Sequence, residues 1–187
     1  MSLWTAIVPF KTAGQRKTRL APALSPPERD RLAQALFDRV IGVLADCPAV
    51  GRIGVLSEAR PEARAELDWL SDQSRGLNAE LQALEIEGPR LIIHADLPLA
   101  TPDDVEALLA AGRGGGAIAP DRHGTGVNAL ALDTGLSLQF RFGPGSFARH
   151  QEQTAGRLAV IARPGLALDI DTPDDLAEAA RLGFRLA

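Results

Sequence analysis

The stretch RLIIHADLPLATPDDV, residues 90–105, decides the fold class of this chain. Its apolar run Leu91–Ile93 leads to an acid, Asp96. Such a run predicts a buried central strand of a parallel sheet with a carboxylate at its C-terminal end. The TPDD sequence at 101–104 supplies an N-cap, a first-turn proline and acids for the positive end of a helix. Because ligands of open α/β sheets bind outside the carboxyl ends of the strands, Asp96 is a candidate ligand of a metal ion or nucleotide.

Strands and helices are predicted to alternate on both sides of this stretch. The predicted strands are 4–10, 53–56, 114–120, 128–132, 158–161 and 166–168, and the predicted helices include those after Ser25, from Pro61 to about Leu70 and from Asn78 to Leu84. This order predicts an α/β fold, a three-layer sandwich around a mostly parallel central sheet. The 187 residues suit one domain, 1–187.

Composition excludes several classes of function. The chain is 45% hydrophobic, has a net charge of -4 and contains one cysteine and no tyrosine. Its scattered basic residues do not predict a surface for duplex nucleic acid, and its few aromatic residues do not predict a stacking surface for single strands. One cysteine excludes an internal disulfide, and the start MSLWTAIVPF is not typical of a signal peptide or membrane span. We therefore expect a cytoplasmic protein with no membrane or nucleic-acid partner.

The densest basic segment follows the first predicted strand. Lys11, Arg16, Lys17 and Arg19 fall within nine residues, and Gly14 among them permits close approach of the backbone to a ligand. The segment matches neither the P-loop nor the dinucleotide-binding fingerprint. It can wrap a triphosphate at the sheet edge, or it can be a solvated charged loop.

Acids end two of the predicted strands. In an extended segment, residues two apart face the same way, so Asp169 and Asp171 can converge on one ion while Ile170 packs inward. Together with Asp96 they form a set of hard oxygen ligands, which favours Mg²⁺. The acids within the two TPDD sequences, at 101–104 and 172–175, are instead expected to cap helices.

Two glycine-containing turns are further candidates. Gly76 and Asn78 can present backbone and amide groups to a base edge, although a plain helix start explains them equally well. Gly143 and Ser146 precede a helical stretch whose free N–H groups can bind an anion, and a simple N-cap is the alternative. The histidines do not define a general base: His94 is expected to be a core residue.

These features together predict transfer of a phosphorylated group between two anionic substrates. Such chemistry needs positioning and charge neutralisation more than a nucleophilic side chain. The motifs also resemble a known family, the guanylyltransferases of deazaflavin coenzyme F-420 biosynthesis. The matching segments lie in the family's order across nearly the whole chain: IVPFKTAGQRKTRLAP, GLNAEL, HADLPLATPDDV, HGTGVNAL, FGPGSFARH and LDIDTPDDL.

The resemblance implies a GT-A-type nucleotidyltransferase fold, also called the nucleotide-diphospho-sugar transferase fold. It implies GTP as donor, Mg²⁺ as cofactor, and 2-phospholactate, phosphoenolpyruvate or 3-phosphoglycerate as acceptor. It also implies roles for particular residues. The metal ligands would be Asp96, Asp169 and Asp171, and the catalytic residues would be Asp96 and Lys17. GTP would be bound by Lys11, Gly14, Lys17, Arg19, Gly76 and Asn78. The acceptor would be bound by Val127, Asn128, Gly143 and Ser146. The position of Val127 is commonly threonine in the family, so a hydroxyl is missing here.

Other functions stay open from the sequence. The chain can be a nucleotidyltransferase for a molybdopterin or a sugar phosphate, although it lacks the glycine-rich opening usual in those enzymes. It can also be a nucleotide-binding protein without turnover. The choice among the three acids, the preference for GTP over other nucleotides and the formation of a homodimer are likewise open.

Overall fold

A seven-stranded sheet forms the centre of the protein. The computed structural model describes residues 2–11, 16–60 and 67–186. The sheet has the strand order β3-β2-β1-β4-β6-β5-β7. Its strands are β1 Trp4–Pro9, β2 Val50–Ser57, β3 Asp68–Ser71, β4 Arg90–Ile93, β5 Gly116–Pro120, β6 Val127–Leu132 and β7 Ala159–Val160. The strand predicted from the RLIIHAD sequence, β4, lies in the middle of this order.

The sheet is mostly parallel, as predicted. Strands β1 to β4 pair in parallel, and β7 pairs in parallel with β5. Strand β6 is the exception, because it pairs antiparallel with both β4 and β5. All six residues of β6 are buried, as expected for a strand with sheet on both sides.

Helices cover both faces of the sheet. They are α1 Pro26–Ala45, α2 Leu77–Ala83, α3 Pro102–Gly112, α4 Ser146–Gln153, α5 Pro164–Ala167 and α6 Pro173–Arg181. Leu91 and Ile93 of β4 belong to the core cluster shared with α1 and α3, whereas Ile92 between them belongs to the cluster shared with α2. This alternation creates three layers. Among the described residues, no helix has the length and apolar character needed to cross a bilayer.

Local capping explains where α3 and α6 begin. The Thr101 side chain accepts a hydrogen bond from the Asp104 backbone N–H at 3.3 Å, and Asp104 accepts one from the Thr101 backbone N–H at 3.2 Å. Thr172 and Asp175 repeat the arrangement at 3.3 Å and 2.7 Å. Both TPDD sequences therefore start helices, as predicted.

Two predicted elements are wrong. The helix predicted from Pro61 to about Leu70 conflicts with β3, since Asp68–Ser71 pairs with β2; residues 61–66 lie outside the described part of the chain. The strand predicted at 166–168 overlaps the short helix α5. In both places tertiary contacts override a weak local pattern, because short apolar runs do not distinguish strands from helical turns.

Candidate active site

A cleft of about 780 Å³ opens at the C-terminal ends of β1, β2 and β4. Its walls combine strand ends with the segments that follow them. The lining residues are Pro9, Phe10, Lys11, Arg16, Lys17, Thr18, Arg19, Ala33, Leu56, Glu58, Asp72, Ser74, Gly76, Leu77, His94, Ala95, Asp96 and Asp171. The cleft thus occupies the edge where ligands of α/β sheets usually bind.

Three carboxylates meet beside this cleft. One oxygen each of Asp96, Asp169 and Asp171 lies within 4.8 Å of the others. The segment carrying the later pair is tied to the first acid, because the Ile170 N–H donates to the Asp96 backbone carbonyl at 3.2 Å. Ile170 itself is fully buried, which leaves its two neighbours to face the cluster. The structure therefore brings together the three acids that the sequence analysis grouped.

Lys17 supplies the positive charge of the cluster. Its Nζ donates to Asp96 Oδ2 at 2.5 Å and to Asp171 Oδ1 at 3.1 Å. Burial acts to lower the pKa of Lys17, but the two carboxylates outweigh it and the pKa is raised. Burial likewise acts to raise the pKa of Asp96, and Lys17 reverses this to a lowered value. Both groups are therefore charged at neutral pH.

Asn128 holds the third acid. It is a buried residue of β6, predicted as an acceptor ligand, and its Nδ2 lies 3.0 Å from the Leu166 carbonyl, 3.1 Å from the Ala167 carbonyl and 3.3 Å from Asp169 Oδ1. Burial and then the charges of the other two acids raise the pKa of Asp169, whereas the hydrogen bond from Asn128 acts to lower it. Asn128 therefore orients Asp169 and favours its charged form.

A helix cap supports Asp171. Asp175 Oδ2 accepts hydrogen bonds from the Asp171 N–H at 3.1 Å and from the Thr172 N–H at 2.7 Å. Its other oxygen accepts from Arg122, in the turn before β6. The sequence predicted Asp175 as a cap only. Its hydrogen bond with the Asp171 backbone and its contact with Arg122, 53 residues earlier, were missed.

The described cationic residues of the predicted basic segment line one wall of the cleft. Lys11 is exposed there, and Arg19 lines the cleft with its Nη1 3.6 Å from Asp171 Oδ2. Arg16 places its guanidinium 5.2 Å from the centre of the Phe10 ring. Gly14 lies outside the described residues. Contact of this segment with phosphate stays a prediction.

The turn before α2 forms another wall of the cleft and is organised by a buried acid. Glu80 Oε1 accepts from the backbone N–H groups of Gln73 and Arg75 at 3.0 and 2.9 Å, and Oε2 accepts from the Arg75 guanidinium at 2.7 Å. The bond from Arg75 is the main reason that the pKa of Glu80 falls to about 2. Gly76 lines the cleft with φ of +91°, a conformation that glycine adopts readily. The sequence analysis did not identify Glu80, whose partners only the folded turn reveals.

Asn78 links this wall to the turn before α4. Its carboxamide accepts a hydrogen bond from the Phe142 N–H at 2.7 Å and donates one to the Phe142 carbonyl at 3.1 Å. These bonds give Asn78 a structural role, and a direct contact with GTP stays a prediction. Gly143 follows with φ of +112°, and Ser146, buried, begins α4 with its N–H 3.0 Å from the Gly143 carbonyl. Val127 is buried in the adjacent core.

His94 differs from its predicted place in the core. It is only half-buried and lines the cleft two residues before Asp96. Its backbone N–H donates to the Asn128 carbonyl at 2.9 Å. Because β4 ends at Ile93, His94 lies beyond the strand and not within it. An apolar sequence context could not reveal this.

Comparison with known proteins identifies the family. Residues 4–183 match the family described as "Guanylyl transferase CofC like". Two relatives are named phosphoenolpyruvate guanylyltransferase. The one from Sphaerobacter thermophilus is 40% identical over 190 residues, covering 94% of this chain and 91% of its own. The one from Rubrobacter xylanophilus is also 40% identical over 190 residues, covering 92% and 91%.

Solved structures share the fold at low sequence identity. A protein of Desulfovibrio desulfuricans G20, whose name assigns it to the nucleotide-diphospho-sugar transferases, has a TM-score of 0.69 at 16% identity, over 97% of this chain and 88% of its own. A nucleotidyl transferase from Methanothermobacter thermautotroptrophicus has a TM-score of 0.68 at 16% identity, over 98% and 100%. These likenesses confirm the predicted nucleotidyltransferase fold. The match to the family over residues 4–183 and the two relatives show that the chain belongs to this guanylyltransferase family.

Proposed function

We propose that this guanylyltransferase joins GMP from GTP to a small phosphorylated three-carbon acid and releases pyrophosphate, as a step of coenzyme F-420 biosynthesis. The acceptor is 2-phospholactate, phosphoenolpyruvate or 3-phosphoglycerate. The observation that carries the proposal is the convergence of Asp96, Asp169 and Asp171 with Lys17 at the cleft. The names of the two relatives support phosphoenolpyruvate among the three acids.

The acid cluster fits Mg²⁺. Its ligands would be carboxylate oxygens, which this cation prefers. Asp96 Oδ1 is buried and accepts no hydrogen bond from the described residues, while Lys17 takes only the other oxygen. Asp169 and Asp171 would complete the protein's share of the ligands. When bound, Mg²⁺ supplies positive charge that neutralises the phosphates and favours attack at phosphorus.

The two walls of the cleft divide the binding of GTP. Lys11, Lys17 and Arg19 would hold the triphosphate on one side, since their cationic groups line the cleft or its acid cluster. The guanine would lie against the turn at Gly76, where the missing side chain and the bonds made by Glu80 keep a backbone surface accessible and rigid.

The turn at Gly143 and Ser146 would bind the acceptor. A phosphate oxygen of the acid attacks the α-phosphorus of GTP, one P–O bond forms, and the bond to the pyrophosphate oxygen breaks. The attacking phosphate is already ionised, so no side chain has to remove a proton. This explains why a cluster with one lysine and no paired histidine base suffices. The product is a guanosine diphospho-carboxylate.

Pyrophosphate release tests the proposal. Purified protein is incubated with GTP, Mg²⁺ and each of the three acids, and the product is identified by mass spectrometry. We expect release with at least one acid and a product containing GMP and that acid. Reactions without acid and with ATP in place of GTP are the controls. Release with none of the acids would redirect the search to a molybdopterin or a sugar phosphate, and GTP binding without any turnover would indicate a binding protein.

Asn128→Leu is expected to weaken metal binding and turnover by about 10–100-fold, because it removes the N–H donor that orients Asp169 without adding a charge. Titration calorimetry with Mn²⁺ measures the metal affinity directly. The matched control is Asn78→Leu, the same change at a carboxamide that bonds the Phe142 backbone and not an acid of the cluster. Equal Mn²⁺ affinity in Asn128→Leu and the unaltered protein would contradict the role given to Asn128.

A further inference from the structure

His94 lies between the acid cluster and the proposed acceptor turn in the chain's cleft. On one side it is two residues from Asp96 and lines the same cleft. On the other side its ring packs against Phe142, with 5.7 Å between the ring centres and 43° between the planes. Phe142 directly precedes Gly143 of the proposed acceptor turn. The His94 ring therefore contacts the residue that directly precedes this turn.

The surroundings fix the position of this imidazole. Its backbone N–H donates to the Asn128 carbonyl at 2.9 Å, and the Phe142 ring also makes an edge-type contact with His150, with 5.3 Å between the ring centres. Asn78 fixes the Phe142 backbone by two hydrogen bonds. One face of the His94 ring is thus supported by packing, while the residue remains part of the cleft wall. Such support holds a side chain in one orientation at little further entropic cost when a ligand binds.

A side-chain donor beside the turn at Gly143 and Ser146 would serve a second anionic group of the acceptor. Its phosphate would be neutralised at the acid cluster by Lys17 and the metal, but its carboxylate carries a second negative charge. That carboxylate would be repelled by Asp96, Asp169 and Asp171, and Val127 offers it no hydroxyl. An imidazole offers at least one N–H whether it is neutral or cationic.

We infer that His94 donates a ring N–H to the carboxylate of the acceptor and thereby selects phosphorylated acids over phosphate esters that lack the carboxylate. The inference rests on the proposed function. It names the residue that recognises the carboxylate of the acceptor, which does not react with GTP. His94 is a binding residue in this assignment and takes no part in proton transfer.

The test separates hydrogen bonding from packing. His94→Phe keeps an aromatic ring against Phe142 and removes the donor, and His94→Gln keeps a donor and removes the ring. We expect His94→Phe to raise KM for the acid by about 10–50-fold, the usual loss for a hydrogen bond to a charged group, with KM for GTP changed by less than about twofold. His94→Gln should recover part of the loss. His123→Phe, the same change in an exposed turn, should alter neither constant.

The preference for the acid over an ester without the carboxylate is the decisive measurement. For each protein, kcat/KM is measured with the best of the three acids and with the same phosphate ester carrying a methyl group, which accepts no hydrogen bond, in place of the carboxylate. We expect the ratio of the two values to fall by about 10–50-fold in His94→Phe, because only the acid loses a contact. An unchanged ratio, or a rise confined to KM for GTP, would overturn the assignment. If the unaltered protein turns over none of the acids, the proposed function fails and the inference fails with it; normal turnover with an unchanged ratio overturns the inference alone.

Discussion

Asp96→Asn is expected to lower kcat for pyrophosphate release by about 1,000-fold, equivalent to about 4 kcal/mol of transition-state stabilisation. Asp96 faces both Lys17 and the other two acids, and its Oδ1 is the buried oxygen left for a cation. The neutral amide keeps the size of the side chain but removes the negative charge. Single-turnover release of pyrophosphate with saturating GTP measures the loss in the chemical step.

Folding should survive this change. Asp96 belongs to a charged cluster beyond the C-terminal end of β4 and not to an apolar core cluster. The melting temperature should therefore shift by no more than about 5 °C. Asp103→Asn is the matched control, because Asp103 is an exposed residue in the first turn of α3. It should leave kcat unchanged. Normal turnover by Asp96→Asn would remove Asp96 from the metal site and with it the basis of the proposed chemistry.

Lys17→Met is expected to have the second largest effect, a fall in kcat of about 100-fold with a rise in KM for GTP. The ammonium contacts two of the three acids, and its raised pKa keeps it charged at neutral pH. Methionine has a similar length but no charge, so the developing charge on the phosphates loses a fixed cation. Lys11→Met offers a comparison at an exposed cleft residue, where we expect a smaller change, mainly in KM for GTP.

Thermal denaturation provides an independent readout for Lys17→Met. Without the ammonium, Asp96, Asp169 and Asp171 repel one another, so the metal-free variant should melt at a lower temperature than the unaltered protein. Adding Mg²⁺ should raise its melting temperature by more than it raises that of the unaltered protein, because the cation then relieves the repulsion. An equal response to Mg²⁺ in the two proteins would show that Lys17 and the metal do not act on the same carboxylates.

Patterns of neighbouring residues predicted much of the fold. The strand at Leu91–Ile93, the capping boxes at Thr101 and Thr172 and the pairing of Asp169 with Asp171 across Ile170 depend on contacts within a few residues, so the sequence contains them. The end of β4 was harder to predict, because an apolar context at His94 does not show where a strand stops.

The roles of several site residues depended on partners far along the chain. Asn128 is predicted from its motif to bind the acceptor, and in the structure its carboxamide bonds Asp169, which lies 41 residues later. Asn78 bonds Phe142, 64 residues later. The partners of Glu80 are close in sequence, but its bonds to them form only when the turn before α2 folds back on it. Side-chain amides have donors and acceptors for many partners, so their type alone does not select one.

The sequence by itself determined most of the alternation of strands and helices, the capped starts of α3 and α6 and the grouping of the three acids, because hydrophobic periodicity and capping act locally. The tertiary structure decided that β6 runs antiparallel beside β4, that Asp68–Ser71 is a strand, and that Lys17 lies between Asp96 and Asp171. Strand direction and ion pairing depend on which distant segments become neighbours when the core closes, and that choice is made by the packing of the whole chain.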